Sequence, residues 1–295
     1  MTRPRIAITV GDPSGIGPEI SLKAAGDARV LEVCQPVIYG PTRPEELGAY
    51  PAGEVSAVSG RAAYDLIVRA TADARARRVA AIATAPISKA AFALAGLPWP
   101  GHTDLLAHLC DLEPDDVAMM FWSDALRVVL ATVHIPLAHV PQALSTDRLH
   151  ETIALTARSL PDFGIARPRI AVAGLNPHAG EDGLIGSEDK LVIAPAVQRA
   201  RAEGIDASGP YPADTLFVRA ARGEFDVVVA MYHDQGLVPV KLAAFGKAVN
   251  VTIGLPIIRT SVDHGTAFDI ARKGVADPGS MIEAVLLAAR LARPT

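Results

Sequence analysis

Seven short runs of apolar, largely β-branched residues recur along this chain of 295 residues, at 6–10, 37–39, 79–84, 128–133, 170–173, 227–231 and 249–253. Each is followed by a turn and then by a helix-like pattern. The hydrophobicity within each run is nearly continuous instead of alternating. Strands covered on both faces require this, and such burial marks a mainly parallel sheet. Between the runs, a 3.6-residue period predicts helices over 18–25, 61–77, 104–110, 146–160, 188–203, 214–222 and 279–293. Ser145 or Thr146 is placed to cap the fourth helix. Ser187 is placed to cap the fifth, with Glu188 and Asp189 at the positive end of its dipole. Residues 40–60 carry Pro and Gly at intervals and read as an exposed loop. The alternation is that of an α/β architecture, in which ligands bind outside the carboxyl ends of the strands.

Charge and composition narrow the partners. Lys+Arg number 28 against 32 Asp+Glu, and aromatics are 5 %, so neither a basic footprint nor a base-stacking platform for nucleic acid is present. No apolar run approaches the ~18 residues that span a bilayer. The first run stops at Gly11-Asp12, too short for a signal peptide. Two cysteines, Cys34 and Cys110, make no disulfide framework and suit a reducing compartment. A cytoplasmic globular protein is expected, with no nucleic-acid or membrane partner.

The histidines are the most informative residues. His134, His178 and His233 each lie just past the carboxyl end of an apolar run. Parallel strands bring those ends onto one edge. Three neutral imidazoles there are a ligand set for zinc or a similar divalent ion, with positions left open for a substrate. A lone histidine more often caps a strand or fills a loop, so it is the trio that carries the metal expectation. Asp234 adjoins one candidate ligand and either orients it or takes a proton; as a turn residue it would satisfy its own backbone. Asp214 opens a predicted helix, where an N-cap is the commoner role. Gly11-Asp-Pro-Ser-Gly-Ile-Gly-Pro-Glu19 joins the first strand to a helix but fits neither dinucleotide nor P-loop fingerprints; glycines serving a tight turn explain it better than an anion site. Lys241, Asn250 and Arg259 fall near the ends of late runs, where the two cations suit phosphate or carboxylate.

Several long segments in one order resemble a known family. They are Gly11–Glu19 above, Gly101-His-Thr103, Thr132-Val-His-Ile-Pro-Leu137, Gly174-Leu-Asn-Pro-His-Ala-Gly-Glu181, Gly209-Pro-Tyr-Pro-Ala-Asp-Thr-Leu-Phe217, Met231-Tyr-His-Asp-Gln-Gly-Leu237 and 254–267. Together they resemble the 4-hydroxythreonine-4-phosphate dehydrogenases of vitamin B6 biosynthesis over nearly the whole chain. The resemblance implies an NAD- (or NADP-) and metal-dependent oxidation of 4-phosphooxy-L-threonine, whose β-keto acid product decarboxylates to 3-amino-2-oxopropyl phosphate. It puts the metal, zinc first with magnesium or cobalt as alternatives, on His134, His178 and His233, shared across a homodimer interface. Substrate contacts fall on His102, Thr103, Lys241, Asn250 and Arg259, and Asp214 or Asp234 is the base. His264, Gly265, Thr266 and Asp277 are similar to the loop by which isocitrate and isopropylmalate dehydrogenases hold the adenosine end of the cofactor. The implied fold is theirs: two α/β domains, residues 1–124 with 254–295 and residues 125–253, the second carrying the metal ligands and the site in the cleft.

Three departures bear on the substrate. Residues 40–60 are short for the family, Ser88 stands where His or Asn is usual, leaving the role of Lys89 open, and Asp104 stands where Glu is usual. Relatives acting on phosphorylated threonate or erythronate, or on cyclic dihydrodiols, therefore stay in view. So does an acyl- or phosphate-transferring enzyme on a related fold, or a binding protein that has lost catalysis. The filled histidine trio disfavours the transferase, and Lys241, Asn250 and Arg259 disfavour the binding protein.

Overall fold

The computed structural model describes residues 3–244 and 246–292. Among these, ten strands occur: β1 (Arg5–Thr9), β2 (Gln35–Tyr39), β3 (Ala81–Thr84), β4 (Ala118–Trp122), β5 (Arg127–Leu130), β6 (Ile170–Ala173), β7 (Ala207–Tyr211), β8 (Val227–Ala230), β9 (Val249–Ile253) and β10 (Ile258–Ser261). The chain divides into two compact units, Met1–Pro114 with Val249–Thr295, and Asp115–Ala248. Both divisions precede the expected boundaries at 124 and 253. The reason is pairing: β4 runs antiparallel to β5 and goes with the second unit, while β9 runs antiparallel to β10 and goes with the first.

In the first unit the strand order is β2-β1-β3-β10-β9, parallel except for the last pair. Strand alternation decides what each face buries. Ile6, Ile8, Ala81 and Ala83 pack with Ile20 of helix Gly17–Ala25 and with Met281, Ile282 and Val285 of helix Gly279–Leu291. The intervening Ala7 and Ile82 pack with Leu66, Ala70 and Ala74 of helix Ala57–Arg75. Arg293, the expected end of the last helix, lies outside the described residues.

The second unit has the order β4-β5-β8-β6-β7, parallel except for β4–β5. Val128, Leu130, Ala171, Ala173, Val228 and Ala230 face Leu216 of helix Ala213–Ala221 and Leu237 and Val240 of helix His233–Ala244. Their neighbours Val129, Ile170, Val172, Val227 and Val229 point the other way and are equally buried. The chain is thus α/β with mainly parallel sheets, as its apolar runs predict. No helix among the described residues is long and apolar enough to cross a membrane.

Ser145 caps helix Thr146–Ser159 by accepting the Arg148 N–H at 3.2 Å. Ser187 does not cap its helix. That helix begins as a π-turn, Asp189–Ile193, with Glu188 at the N-cap, and Asp189 is turned back into the fold. The expected loop at 40–60 contains a short helix, Pro44–Leu47, and the start of Ala57–Arg75, capped by Ser56.

Candidate active site

β5, β8 and β6 are neighbours and parallel, so the segments that leave them share one edge. His134, His233 and His178 lie on those three segments. The rings of His134 and His233 stand 5.5 Å apart, centroid to centroid. His233 Nδ1 is 2.7 Å from Asp234 Oδ1. A carboxylate only accepts, so in the neutral ring this contact puts the proton on Nδ1 and leaves the Nε2 lone pair for a ligand. Asp234 therefore orients an imidazole. Asp214 stands exposed in the first turn of helix Ala213–Ala221, whose N-cap is Pro212, so it is not the cap. Lys241 lies two turns into helix His233–Ala244.

His178 opens a run of left-handed backbone, His178 to Asp182, with φ of 54°, 52°, 80°, 43° and 56°. Four of the five are not glycine, and each such residue costs about 1–2 kcal/mol. The carboxylate of Asp189, 2 % exposed, holds the approach to this run. It accepts the N–H of Leu175 at 2.8 Å and both the N–H (3.1 Å) and Nδ2 (2.9 Å) of Asn176. Gln235 links the exits of β6 and β8: Nε2 donates to Gly174 O and Oε1 accepts the Met231 N–H, both at 2.7 Å. Neither residue was anticipated as part of the site. Asp189 looks like a helix-dipole residue in sequence, and only its burial shows otherwise.

Among the described residues, no three His, Cys, Asp or Glu side chains gather as a metal cluster. Two imidazoles converge and His178 does not join them. The donor set itself suits a zinc-like ion, because one tautomer is fixed by its carboxylate and both rings are solvent-accessible. His134 also has a positive φ of 41°, an unusual backbone for a side chain of its size.

The first unit carries a different arrangement. In the sheet register Arg259 lies beside Ile82 and Thr260 beside Val251, while Ser261 lies opposite both Thr84 and Asn250. Alternation puts Thr84, Asn250, Thr252, Arg259 and Ser261 on one face. The opposite face takes Thr260, whose hydroxyl bonds Ala284 O in the last helix. Arg259 is 2 % exposed, and its guanidinium donates to two neutral hydroxyls, Thr84 Oγ1 at 2.8 Å and Thr252 Oγ1 at 3.0 Å. No carboxylate among the described residues pairs with it, and its Nε is buried without a partner. Burial pulls its pKa down to about 9, so the charge persists at neutral pH. His102 Nε2 and Asn250 Oδ1 are likewise buried and unpartnered. Burial, with the nearby Arg259 charge, lowers the His102 pKa well below the usual range and keeps the ring neutral. Thr103 follows in the same helix, His102–Leu109. A buried cation without a counter-charge, ringed by unsatisfied polar atoms, is an anion-binding arrangement.

Around the candidate cofactor residues, Gly265 opens onto free space and His264 Nδ1 lies 3.0 Å from Gly265 O. Asp277 Oδ1 accepts the Gly279 N–H at 2.8 Å, which ties it to the start of the last helix. Thr266 O accepts the Ile16 N–H at 3.0 Å. Ser88 caps helix Lys89–Leu94 by accepting the Ala91 N–H, and Lys89 is exposed.

The sequence pattern of the pyridoxal phosphate biosynthetic protein PdxA matches residues 18–288. A 4-hydroxythreonine-4-phosphate dehydrogenase of Desulforapulum autotrophicum is 46% identical, covering 97% of this chain and 95% of its own. A D-threonate 4-phosphate dehydrogenase of Cupriavidus necator is 44% identical over 98% and 97%. The crystal structure of the Klebsiella pneumoniae 4-hydroxythreonine-4-phosphate dehydrogenase superposes with a TM-score of 0.87 at 42% identity, over 98% of this chain and 100% of that one. Isocitrate dehydrogenase of Methylococcus capsulatus, at 20% identity and a TM-score of 0.50 over 96% and 84%, shares the fold.

Proposed function

The chain belongs to the family of the pyridoxal phosphate biosynthetic protein PdxA and is an oxidoreductase acting on a CH–OH group; from that premise we propose that it oxidises 4-phosphooxy-L-threonine with NAD and a divalent metal. The β-keto acid formed, 2-amino-3-oxo-4-phosphooxybutanoate, then loses carbon dioxide to give 3-amino-2-oxopropyl phosphate. One observation carries the substrate class: the buried, carboxylate-free guanidinium of Arg259. Two hydroxyls hold it by neutral hydrogen bonds, so its charge is left for a phosphate dianion. His102, Thr103 and Asn250 supply the remaining polar contacts, and Lys241 a second cation.

A divalent ion on His134, His178 and His233 would acidify the substrate hydroxyl, and NAD would accept the hydride. Asp214 takes the hydroxyl proton, since Asp234 is engaged in orienting His233. His264, Gly265, Thr266 and Asp277 hold the cofactor. Zinc suits an imidazole set best, with cobalt or magnesium as alternatives, and NADP as the alternative cofactor.

A homodimer that shares the metal site is the proposed working form, acting in the cytoplasm. Its support is that one chain does not gather three imidazoles and that the second unit leaves Leu242 87 % and Leu184 84 % exposed. Exposed leucines close to candidate ligand segments fit a surface covered by a second copy.

The 44% identity to a D-threonate 4-phosphate dehydrogenase favours one second reading, oxidation of 4-phospho-D-threonate or 4-phospho-D-erythronate. Both substrates carry the phosphate that Arg259 calls for. Steady-state NADH formation with each phosphorylated acid and with a cyclic dihydrodiol decides between them. A kcat/KM highest for 4-phosphooxy-L-threonine is expected, and a higher value for the threonate or erythronate transfers the assignment to the second reading.

A further inference from the structure

The Gly11–Glu19 segment has no part in the chemistry above, yet it is tied to a distant stretch of chain. Ile16 N–H donates to Thr266 O at 3.0 Å. Gly15 lies against the same peptide, and a Cβ there would stand 2.7 Å from Thr266 O, closer than any real Cβ approaches an oxygen. One turn later Glu19 reaches residues some 250 positions away. Its Oε1 accepts the Ala276 N–H at 2.8 Å and its Oε2 the Gly274 N–H at 3.2 Å. Lys23, one helical turn on, pairs with Glu19 at 2.8 Å and donates to Gly274 O (3.0 Å) and Ala276 O (2.9 Å). One carboxylate and one ammonium thus satisfy the N–H and C=O groups of two loop residues from both sides. The far side of the same loop is pinned by Arg272, which donates to Leu47 O (2.8 Å) and Tyr50 O (2.7 Å).

We propose that the Gly11–Glu19 segment is a brace for the 264–277 loop, and that Glu19, assisted by Lys23, is the positioning residue that sets this loop in the shape that receives the dinucleotide. The inference rests on the assignment of that loop as the cofactor site. It accounts for features of a glycine-rich turn that fits no phosphate fingerprint: Gly15 allows close approach to Thr266, and Glu19 serves another loop's backbone. Irregular loops lack the hydrogen bonds of helix and sheet, so their shape depends on such side-chain partners. A loop that must be ordered by its ligand binds it more weakly than one already ordered.

The test is NAD binding by the full-length protein with added zinc, measured by calorimetry, together with the Michaelis constants for NAD and for the phosphorylated acid. Glu19→Gln keeps the shape of the side chain but presents an amide N–H where two oxygens are needed. It should weaken NAD binding by about five- to fifty-fold while leaving the substrate KM within two-fold. Lys23→Met should weaken NAD binding by a smaller factor, and Glu19→Asp should retain part of it. Glu45→Gln, an exposed carboxylate on helix Pro44–Leu47, should match the parent protein. Unchanged NAD binding in both Glu19→Gln and Lys23→Met overturns the brace. So does a parallel rise in both Michaelis constants with a lowered melting temperature, which indicates a general packing role. Failure of the unaltered protein to bind NAD or NADP removes the cofactor assignment itself, and the inference with it.

Discussion

The buried Arg259 face of the first unit and the histidine edge of the second are built in opposite ways. Arg259 sits mid-sheet on β10, fully desolvated, with its hydroxyl partners on β3 and β9 already in place. His134 and His178 sit instead on irregular, left-handed backbone at the surface, and one chain brings only two of the three rings together. A desolvated charge has to be supported on a rigid element, because misplacing it costs several kcal/mol. Imidazoles that bind a metal tolerate exposure. One arrangement is therefore complete within the described fold, and the other, under the proposed function, would be completed by a second copy.

The sharpest way to break this contrast is Arg259→Met. Turnover of a phosphorylated acid should fall by about a thousand-fold or more, with metal content unchanged, since an unpaired buried charge is there for its ligand. Melting temperature without substrate should hold or rise. A fall in stability would mean that Arg259 is structural. Next, His233→Ala should abolish metal retention, measured by elemental analysis, while leaving stabilisation by inorganic phosphate intact; loss of both would make the two sites one unit.

Asp189→Asn tests what holds the His178 turn. Replacing an acceptor of three N–H groups should cost about 1–3 kcal/mol in urea unfolding. It should also weaken metal binding by about 10–100-fold, as removal of supporting partners does elsewhere. Thr84→Val, which removes one hydroxyl from Arg259, should raise the substrate KM a few-fold with kcat nearly unchanged.

The smallest effect concerns pH. The folded protein keeps His102 neutral at pH values where the unfolded chain protonates it, so the unfolded state binds more protons below its ordinary pKa of about 6.5. Stability from this group is complete above that value and is lost as pH falls beneath it. His102→Gln should therefore flatten the drop in melting temperature between pH 7 and pH 5; an unchanged drop would contradict a desolvated neutral ring.

Much of this was legible in the sequence, and the exceptions have reasons. The apolar β5, β6, β8 and β9 declare themselves, and the shared edge of β5, β8 and β6 at the histidines follows from parallel pairing. β10 was missed because Ile258-Arg259-Thr260-Ser261 buries a charge and hydroxyls, the composition of a site and not of a core. β4, Ala118-Met-Met-Phe-Trp122, has no β-branched residue, and β7 contains Gly209 and Pro210. The residues proposed for metal, anion and cofactor roles stand out by type. Their supports, Asp189, Gln235, Thr84 and Glu19, do not, because each reaches backbone or a side chain outside its own element, and only the folded chain reveals the partner.

Under the proposed function, the unbalanced guanidinium of Arg259 selects a phosphorylated alcohol for oxidation. The most direct measurement is NADH formation from 4-phosphooxy-L-threonine and from 4-hydroxythreonine at equal concentration. A kcat/KM for the phosphorylated compound higher by about a thousand-fold, worth roughly 4 kcal/mol, is expected, with loss of that preference in Arg259→Met. Equal rates with the unphosphorylated alcohol would contradict it.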